Sequence, residues 1–268
     1  MSSRFQDRPS KRIGKGTNMQ LEELPKITSP VNLNDLPVNQ IKELQWAVAK
    51  LGYPVGDIDG LVGPRTRNAW SEFQSDVSQR DPTLVDAASV GALQQQLAKL
   101  AQPSNDDFST RDGTIAAIID ECKKQGIGLR DQIAYVLATT QHETNNTFQP
   151  VREAYYLGTR AEAYRRTLKY YPYYGRGYVQ LTWDRNYQTY TDLLGKDLVH
   201  NPDLAVQPGV ALFVLVHGFK VGTFTGRAIM RYINASQTDF VNARRCINGV
   251  DRAQEIAAIA TQFAKTLP

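Results

Sequence analysis

Histidine, cysteine and methionine are scarce in this chain, at three, two and three residues. The two cysteines, Cys122 and Cys246, lie far apart and lack metal-ligand spacing. They allow one disulfide at most and read as two buried thiols. A zinc-protease helix would need a second histidine four residues after His142, and that position is Asn146. His200 and His217 are distant from it, so no metal site is expected. Serine and thiol nucleophiles fare no better: no Gly-x-Ser-x-Gly elbow occurs, and Cys122 sits among Ile119, Asp120 and Lys123 with no local partner. Long apolar runs are missing too. The longest, "VALFVLV" at 210–216, is far short of the roughly 20 residues of a membrane helix, and the N-terminus shows no signal-peptide core. These absences predict a soluble chain without metal or organic cofactor, cytoplasmic until released or exported by another route.

What is present is enough apolar residue for a core. At 268 residues and 41% hydrophobic content, two compact units plus a tail are expected. The net charge of +4 is unevenly spread. Arg4, Arg8, Lys11, Arg12 and Lys15 against Asp7 place the whole excess in the first sixteen residues, while from residue 108 onward nineteen basic side chains face fourteen acidic ones. A basic second unit suits an anionic partner by long-range attraction, although attraction alone specifies none. No nucleic-acid module is recognisable, so no nucleic-acid partner is expected. A monomer is expected.

Residues 1–36 are rich in Pro, Ser, Asn and Lys without apolar period, and read as a flexible basic tail. From Val38, Ile41, Leu44, Ala47, Val48 and Leu51 fall at helical spacing, with Gly52 ending the helix. A turn-rich loop leads to a second helix starting near Pro64, with Ala69, Trp70 and Phe73 inward; "AASVGALQQQLAKLA" is a third. The stretch "IKELQWAVAKLGYPVGDIDGLVGPRTRNAWSEFQ" resembles the peptidoglycan-binding domain of cell-wall hydrolases. It carries that family's Leu-Gln, Leu-Gly-Tyr, Asp-Gly, Gly-Pro-x-Thr and Phe-Gln landmarks. The resemblance implies a three-helix wall-binding domain over 37–100. Residues 101–112 read as a linker, and 113–268 as a second helical domain, opened by "TIAAIIDECKKQG" with Ser109 or Asp112 as possible caps and followed by "LRDQIAYVLATTQHE".

The second helix ends in His142 and Glu143. A carboxyl group at the end of an apolar helix suits a general acid, because partial burial disfavours its charged form. Glycoside hydrolysis needs a second carboxylate across the sugar, and Glu153, beyond a proline in "FQPVREAYYL", is the nearest. Then comes "KYYPYYGRGYVQLTWDRNY". Its rings, Tyr174 among them, could form a wall on which sugar faces stack, with Gln180, Thr182 and Asn186 supplying hydrogen bonds; the same aromatics could equally be core.

"HET", "YYGRGYVQLTWDRNY", "NPDLA" and "RRCING" follow the order of motifs in plant-type family 19 chitinases and related phage endolysins of the lysozyme superfamily, a resemblance spanning about residues 130 to 250. It implies a mainly α, lysozyme-like catalytic domain cleaving a β-1,4-linked polymer of N-acetylated sugars. By position Glu143 would be the acid with His142 beside it, Gln180, Thr182 and Asn186 would line the cleft, and Asn248 would reach substrate from the far side. Thr182 stands where the plant pattern has serine and keeps the hydroxyl that would hold a water. Glu153 follows Glu143 at the short spacing of the endolysin type, and would be the base of an inverting reaction. Together the two resemblances point to a peptidoglycan glycosidase, probable muramidase in kind; a chitinase or chitosanase, or an inactive wall-binding protein, are the alternatives.

Overall fold

Apolar residues at helical spacing from Ile41 to Leu93 fold as the pattern predicts. The structure, a computed structural model, describes residues 21–51, 53, 55–78, 81–101 and 106–267 and is mainly helical. The basic residues 1–16, Gly52 and part of the linker lie outside the described residues. In the first unit a short strand β1 (Val31–Asn32) precedes α1 (Val38–Lys50) and α2 (Pro64–Phe73), and β2 (Leu84–Val85) returns antiparallel to β1 before α3 (Ala87–Ala101). Pro64 occupies the first turn of α2, where its missing N–H costs nothing. Gln45 explains several landmarks at once: buried, it donates to Asp59 Oδ1, Leu61 O and Thr66 Oγ1 and accepts from Gly60 N at 2.8 Å. Gly60 has φ +80°, and a Cβ there would strike Val38.

The tail expected over 1–36 is shorter than that where it can be seen. Leu24, Ile27, Leu33 and Leu36 are buried in the core of this unit, and the carboxylate of Glu43 on α1 accepts from the backbone N–H groups of Glu22, Glu23 and Leu24. These four apolar residues fill gaps from extended and 3-10 segments, so they carry no helical period.

The second unit is built on α4 (Arg111–Lys124) and α5 (Arg130–Glu143), then β3 (Val151–Arg152), α6 (Ala161–Arg165), β4 (Arg176–Gly177), α7 (Asp184–Leu194) and α8 (Pro208–Val221). A hairpin, β5 (Ile233–Asn234) and β6 (Gln237–Thr238), leads to α9 (Phe240–Ala243) and α10 (Ala253–Thr266). The cap of α4 is Thr110, whose hydroxyl accepts from Gly113 N, rather than Ser109 or Asp112. Residues Gln132 to Thr140 of α5 are all buried between α4, α8 and α10. The apolar run at 210–216 belongs to α8, buried as far as Phe219, and among the described residues no helix is long and apolar enough to cross a membrane. Cys122 and Cys246 are free and buried.

The two units meet through helix ends. Trp46 Nε1 donates to Asp192 O at 3.1 Å and Lys50 Nζ to Leu193 O at 2.6 Å, at the C-terminal end of α7. In return His217 Nε2 meets Ala49 O at 2.9 Å and Lys220 Nζ donates to Leu51 O at 2.6 Å, at the end of α1. The last carbonyls of a helix have no partner within it, and cations are favoured there, so each unit caps a helix of the other. Because Ala49 O can only accept, His217 Nε2 carries the proton, and Nδ1 faces the Tyr190 hydroxyl at 3.4 Å.

Burial pulls the His217 imidazole down to about 4, against the Ala49 hydrogen bond and with help from Lys220 and Lys50. As pH falls below the ordinary value of roughly 6.5, the unfolded chain therefore takes up a proton that the folded one refuses. Stability falls between about pH 6.5 and about 4, by about 2 kcal/mol at pH 5. Thermal melts at neutral and mildly acid pH should show this loss, and His217→Gln should flatten it.

Candidate active site

Helix α5 stops at Glu143 for local reasons. Thr144 is buried, its hydroxyl accepts from Phe148 N at 3.0 Å, and Asn145 and Asn146 turn the chain with φ of 49° and 65°, a region that asparagine tolerates. Glu143 is thereby left at the wall of a cleft of about 460 Å³. Its side chain is 18% exposed, and Oε1 accepts from Arg244 Nη1 at 2.8 Å. Arg244 is itself only 4% exposed and is steadied by the Asp251 carbonyl at 3.0 Å. The apolar setting expected for Glu143 is thus corrected. Its inner side faces a buried guanidinium, supplied by a residue 101 positions later in the sequence.

Glu153 comes from the other wall. It follows β3, which pairs antiparallel with β4, Val151 opposite Gly177 and Arg152 opposite Arg176. Glu153 N donates to Gly175 O at 2.7 Å, Gly175 N returns a bond to Oε2 at 2.8 Å, and the Tyr170 hydroxyl donates to Oε1 at 2.9 Å. A side chain at Gly175 would run into Gln180. Behind this hairpin, Arg176 donates to Asp203 Oδ1 at 2.8 Å, and Arg152 donates to both carboxylate oxygens of Asp203. Those guanidinium bonds, Arg152 first, hold the Asp203 carboxyl below the usual carboxylate range, while burial opposes them. The "GRG" and "NPDLA" motifs are therefore two ends of one strut.

Thr182 lies between two residues with left-handed φ, Gln180 at 57° and Trp183 at 72°. Strained backbone of this kind gathers at functional sites. Here it is over-determined by Trp183 N on Tyr173 O at 3.0 Å and by Asn186 Nδ2 on Thr182 O at 2.8 Å.

The cleft is lined by Glu143, Glu153, Gln180, Thr182 and Asn248 among the sequence-expected residues. Three others do not line it. Asn186 is buried and spends its amide on the Thr182 carbonyl, so it positions the loop from behind. Tyr174 is 6% exposed, with Arg176 stacked on its ring at 3.6 Å and Arg165 at 4.8 Å, which makes it core. His142 turns away toward Glu255 on α10, 3.6 Å off. Sequence reasoning missed Arg244, Ile247, Tyr155, Tyr156 and Tyr164, which complete the lining with Tyr170. The signal for the tyrosines was their aromatic run beside Glu153; for Arg244 it was only a place within "RRCING". Among the described residues no group of His, Cys, Asp or Glu could hold a metal ion.

A helical domain with two carboxylates on opposite walls of a polar, aromatic-edged cleft has the form of a glycoside hydrolase. Residues 107–224 match the family described as chitinase class I, so a family 19 glycoside hydrolase domain is present there. That match contains Glu143, Glu153 and Thr182, whereas Arg244 and Asn248 lie beyond it. Two rice (Oryza sativa subsp. japonica) proteins are similar over part of the chain. Chitinase 11 is 37% identical over 84 residues, 31% of this chain and 33% of the rice protein; Chitinase 8 is 37% identical over 87 residues, 32% of this chain and 33% of its own. The chain thus spans about a third of the length of these curated relatives.

Proposed function

We propose that this chain is a peptidoglycan glycosidase, hydrolysing β-1,4 bonds between N-acetylated sugars with Glu143 as acid and Glu153 as base. The observation that carries the reading is the placement of two carboxyl groups on opposite walls of one cleft, each held by its own wall. Glu143 is held through Oε1 alone, by Arg244, which leaves its second oxygen toward the cleft for the glycosidic oxygen. Glu153 accepts one bond on each oxygen, from Tyr170 and Gly175, which fixes its carboxyl group on the opposite wall. In the reaction Glu143 gives its proton to the glycosidic oxygen as the bond to C1 breaks. Glu153 takes a proton from a water held by the Thr182 hydroxyl, and that water's oxygen attacks C1 from the opposite face, inverting its configuration. Arg244 then faces the carboxylate that Glu143 has become, a charge-assisted bond that strengthens as the proton leaves.

Peptidoglycan is favoured over chitin by the first unit, whose landmarks resemble a wall-binding domain; binding unit and cleft on one polymer act at high local concentration. Chitin is the second reading, favoured by the family match and by the names of the rice relatives. Mass spectrometry of borohydride-reduced fragments decides between them. Reduced N-acetylmuramic acid from purified wall establishes a muramidase, reduced N-acetylglucosamine a glucosaminidase, and release from chitin alone rejects peptidoglycan. Tyr170→Phe removes one of the two donors to Glu153, and kcat should fall about tenfold. The melting temperature should hardly move, because Tyr170 is only half-buried.

A further inference from the structure

Tyr170, which lines the cleft, packs against an exposed tryptophan that the reaction above does not use. Trp183 is 37% exposed and holds φ +72°, a conformation that costs a bulky residue about 1–3 kcal/mol. The surrounding structure fixes it there. Its ring packs on Tyr170 with centroids 5.2 Å apart, and Tyr170 in turn holds Glu153, so the indole lies one aromatic ring away from the proposed base. The ammonium of Lys169 sits over the indole, 5.1 Å from its centroid. Two residues after Trp183, Arg185 is the second residue of α7.

Among the described residues Lys169 carries its charge without a counter-ion, and so do two arginines on the neighbouring segments. One is Arg185, and the other is Arg160, which ends the 3-10 turn bearing the cleft residues Tyr155 and Tyr156. Asp184, between Trp183 and Arg185 in sequence, turns its carboxylate to the backbone N–H of Arg185 at 2.8 Å. A neutral sugar polymer would offer these cations hydrogen-bond acceptors but no counter-charge.

We propose that Trp183, Lys169 and Arg185 form a subsite for an acid-bearing sugar. The indole packs against the sugar's apolar face, and the two cations meet the carboxylate of its substituent, such as the lactyl group of peptidoglycan or the peptide attached to it. This rests on the glycosidase reading and adds to it the feature that separates an acidic glycan from neutral chitin. Attraction between exposed charges is modest and screened by salt, so the subsite contributes selectivity rather than most of the affinity.

Trp183 supplies its own probe, because the other tryptophans, Trp46 and Trp70, are buried at 7% and 0% exposure. The full-length Glu143→Gln protein, which should bind without turnover, is titrated with soluble peptidoglycan strands and with neutral N-acetylglucosamine oligomers of equal length, following tryptophan emission. The emission change must vanish in Trp183→Phe. The ratio of affinities, acidic over neutral, should fall about fivefold at low salt when Lys169→Met and Arg185→Met are added. Added salt should erode the ratio in the parent and hardly touch it in the variant. An unchanged ratio, an equal loss for both glycans, or no Trp183 signal with the acidic strand overturns the subsite. Wild-type turnover of both glycans, measured in parallel, tests the underlying reading separately: a protein that cleaves neither is no glycosidase, yet its binding ratio still decides the subsite.

Discussion

Glu143→Gln is expected to lower glycan turnover about a thousandfold while binding persists, since positioned acid catalysis is worth roughly 10²–10⁴ in rate. Glutamine is the informative replacement. Its amide oxygen can still accept from Arg244, so the geometry of the wall is kept while the transferable proton is lost. A second effect accompanies the first. The variant leaves the Arg244 guanidinium, 4% exposed, without its counter-charge, and a buried charge deprived of its partner is destabilising. A lower melting temperature together with lost kcat is therefore expected, and initial rates on a soluble glycan with a parallel melt read both. Turnover equal to wild type would remove Glu143 from the mechanism.

Asp203→Ala should lower stability and catalysis together although Asp203 lies behind the cleft. Among the described residues Asp203 is the only carboxylate that Arg176 meets, and the Arg176 side chain is 5% exposed. Breaking a fully buried pair costs about 3–5 kcal/mol, and because Asp203 is itself half exposed the expected cost is nearer ~2 kcal/mol. The sign of the pH dependence follows from the direction of the shift. A carboxyl held below its usual range stabilises the fold above the unfolded value of roughly 3.9, and loses that contribution as pH falls through the folded one. Wild type and variant should thus differ most near neutrality and converge below about pH 4. Catalysis should suffer as well, because Arg152 and Arg176 flank the hairpin that presents Glu153. Denaturation curves across pH check the first part and kcat the second.

Much of this was legible in the chain because it is local. Helices α1, α2 and α5 follow from apolar spacing, Pro64 marks a helix start, and Glu143 and Glu153 were found from their place at the end of an apolar run and beyond a proline. What escaped depends on partners distant in sequence. Arg244 gains its meaning only when the 3-10 turn after α9 is brought against the end of α5. Trp46 could only be read as another apolar residue of α1, whereas its indole N–H is spent on a carbonyl 146 residues away. Tyr174 shows the opposite error. An aromatic beside a glycine in a polar stretch suits a sugar platform as well as a core, and the two arginines on its ring, themselves fixed by Asp203 and Glu153, decide for the core.

The central claim, that the cleft between Glu143 and Glu153 adds water across a glycosidic bond, is tested most directly by digesting purified peptidoglycan in water enriched in heavy oxygen and locating the label by mass spectrometry. The account predicts one heavy oxygen on C1 of the new reducing sugar, with the signal lost in Glu143→Gln. Label in a peptide carboxylate, or unlabelled fragments ending in an anhydro sugar, would contradict it.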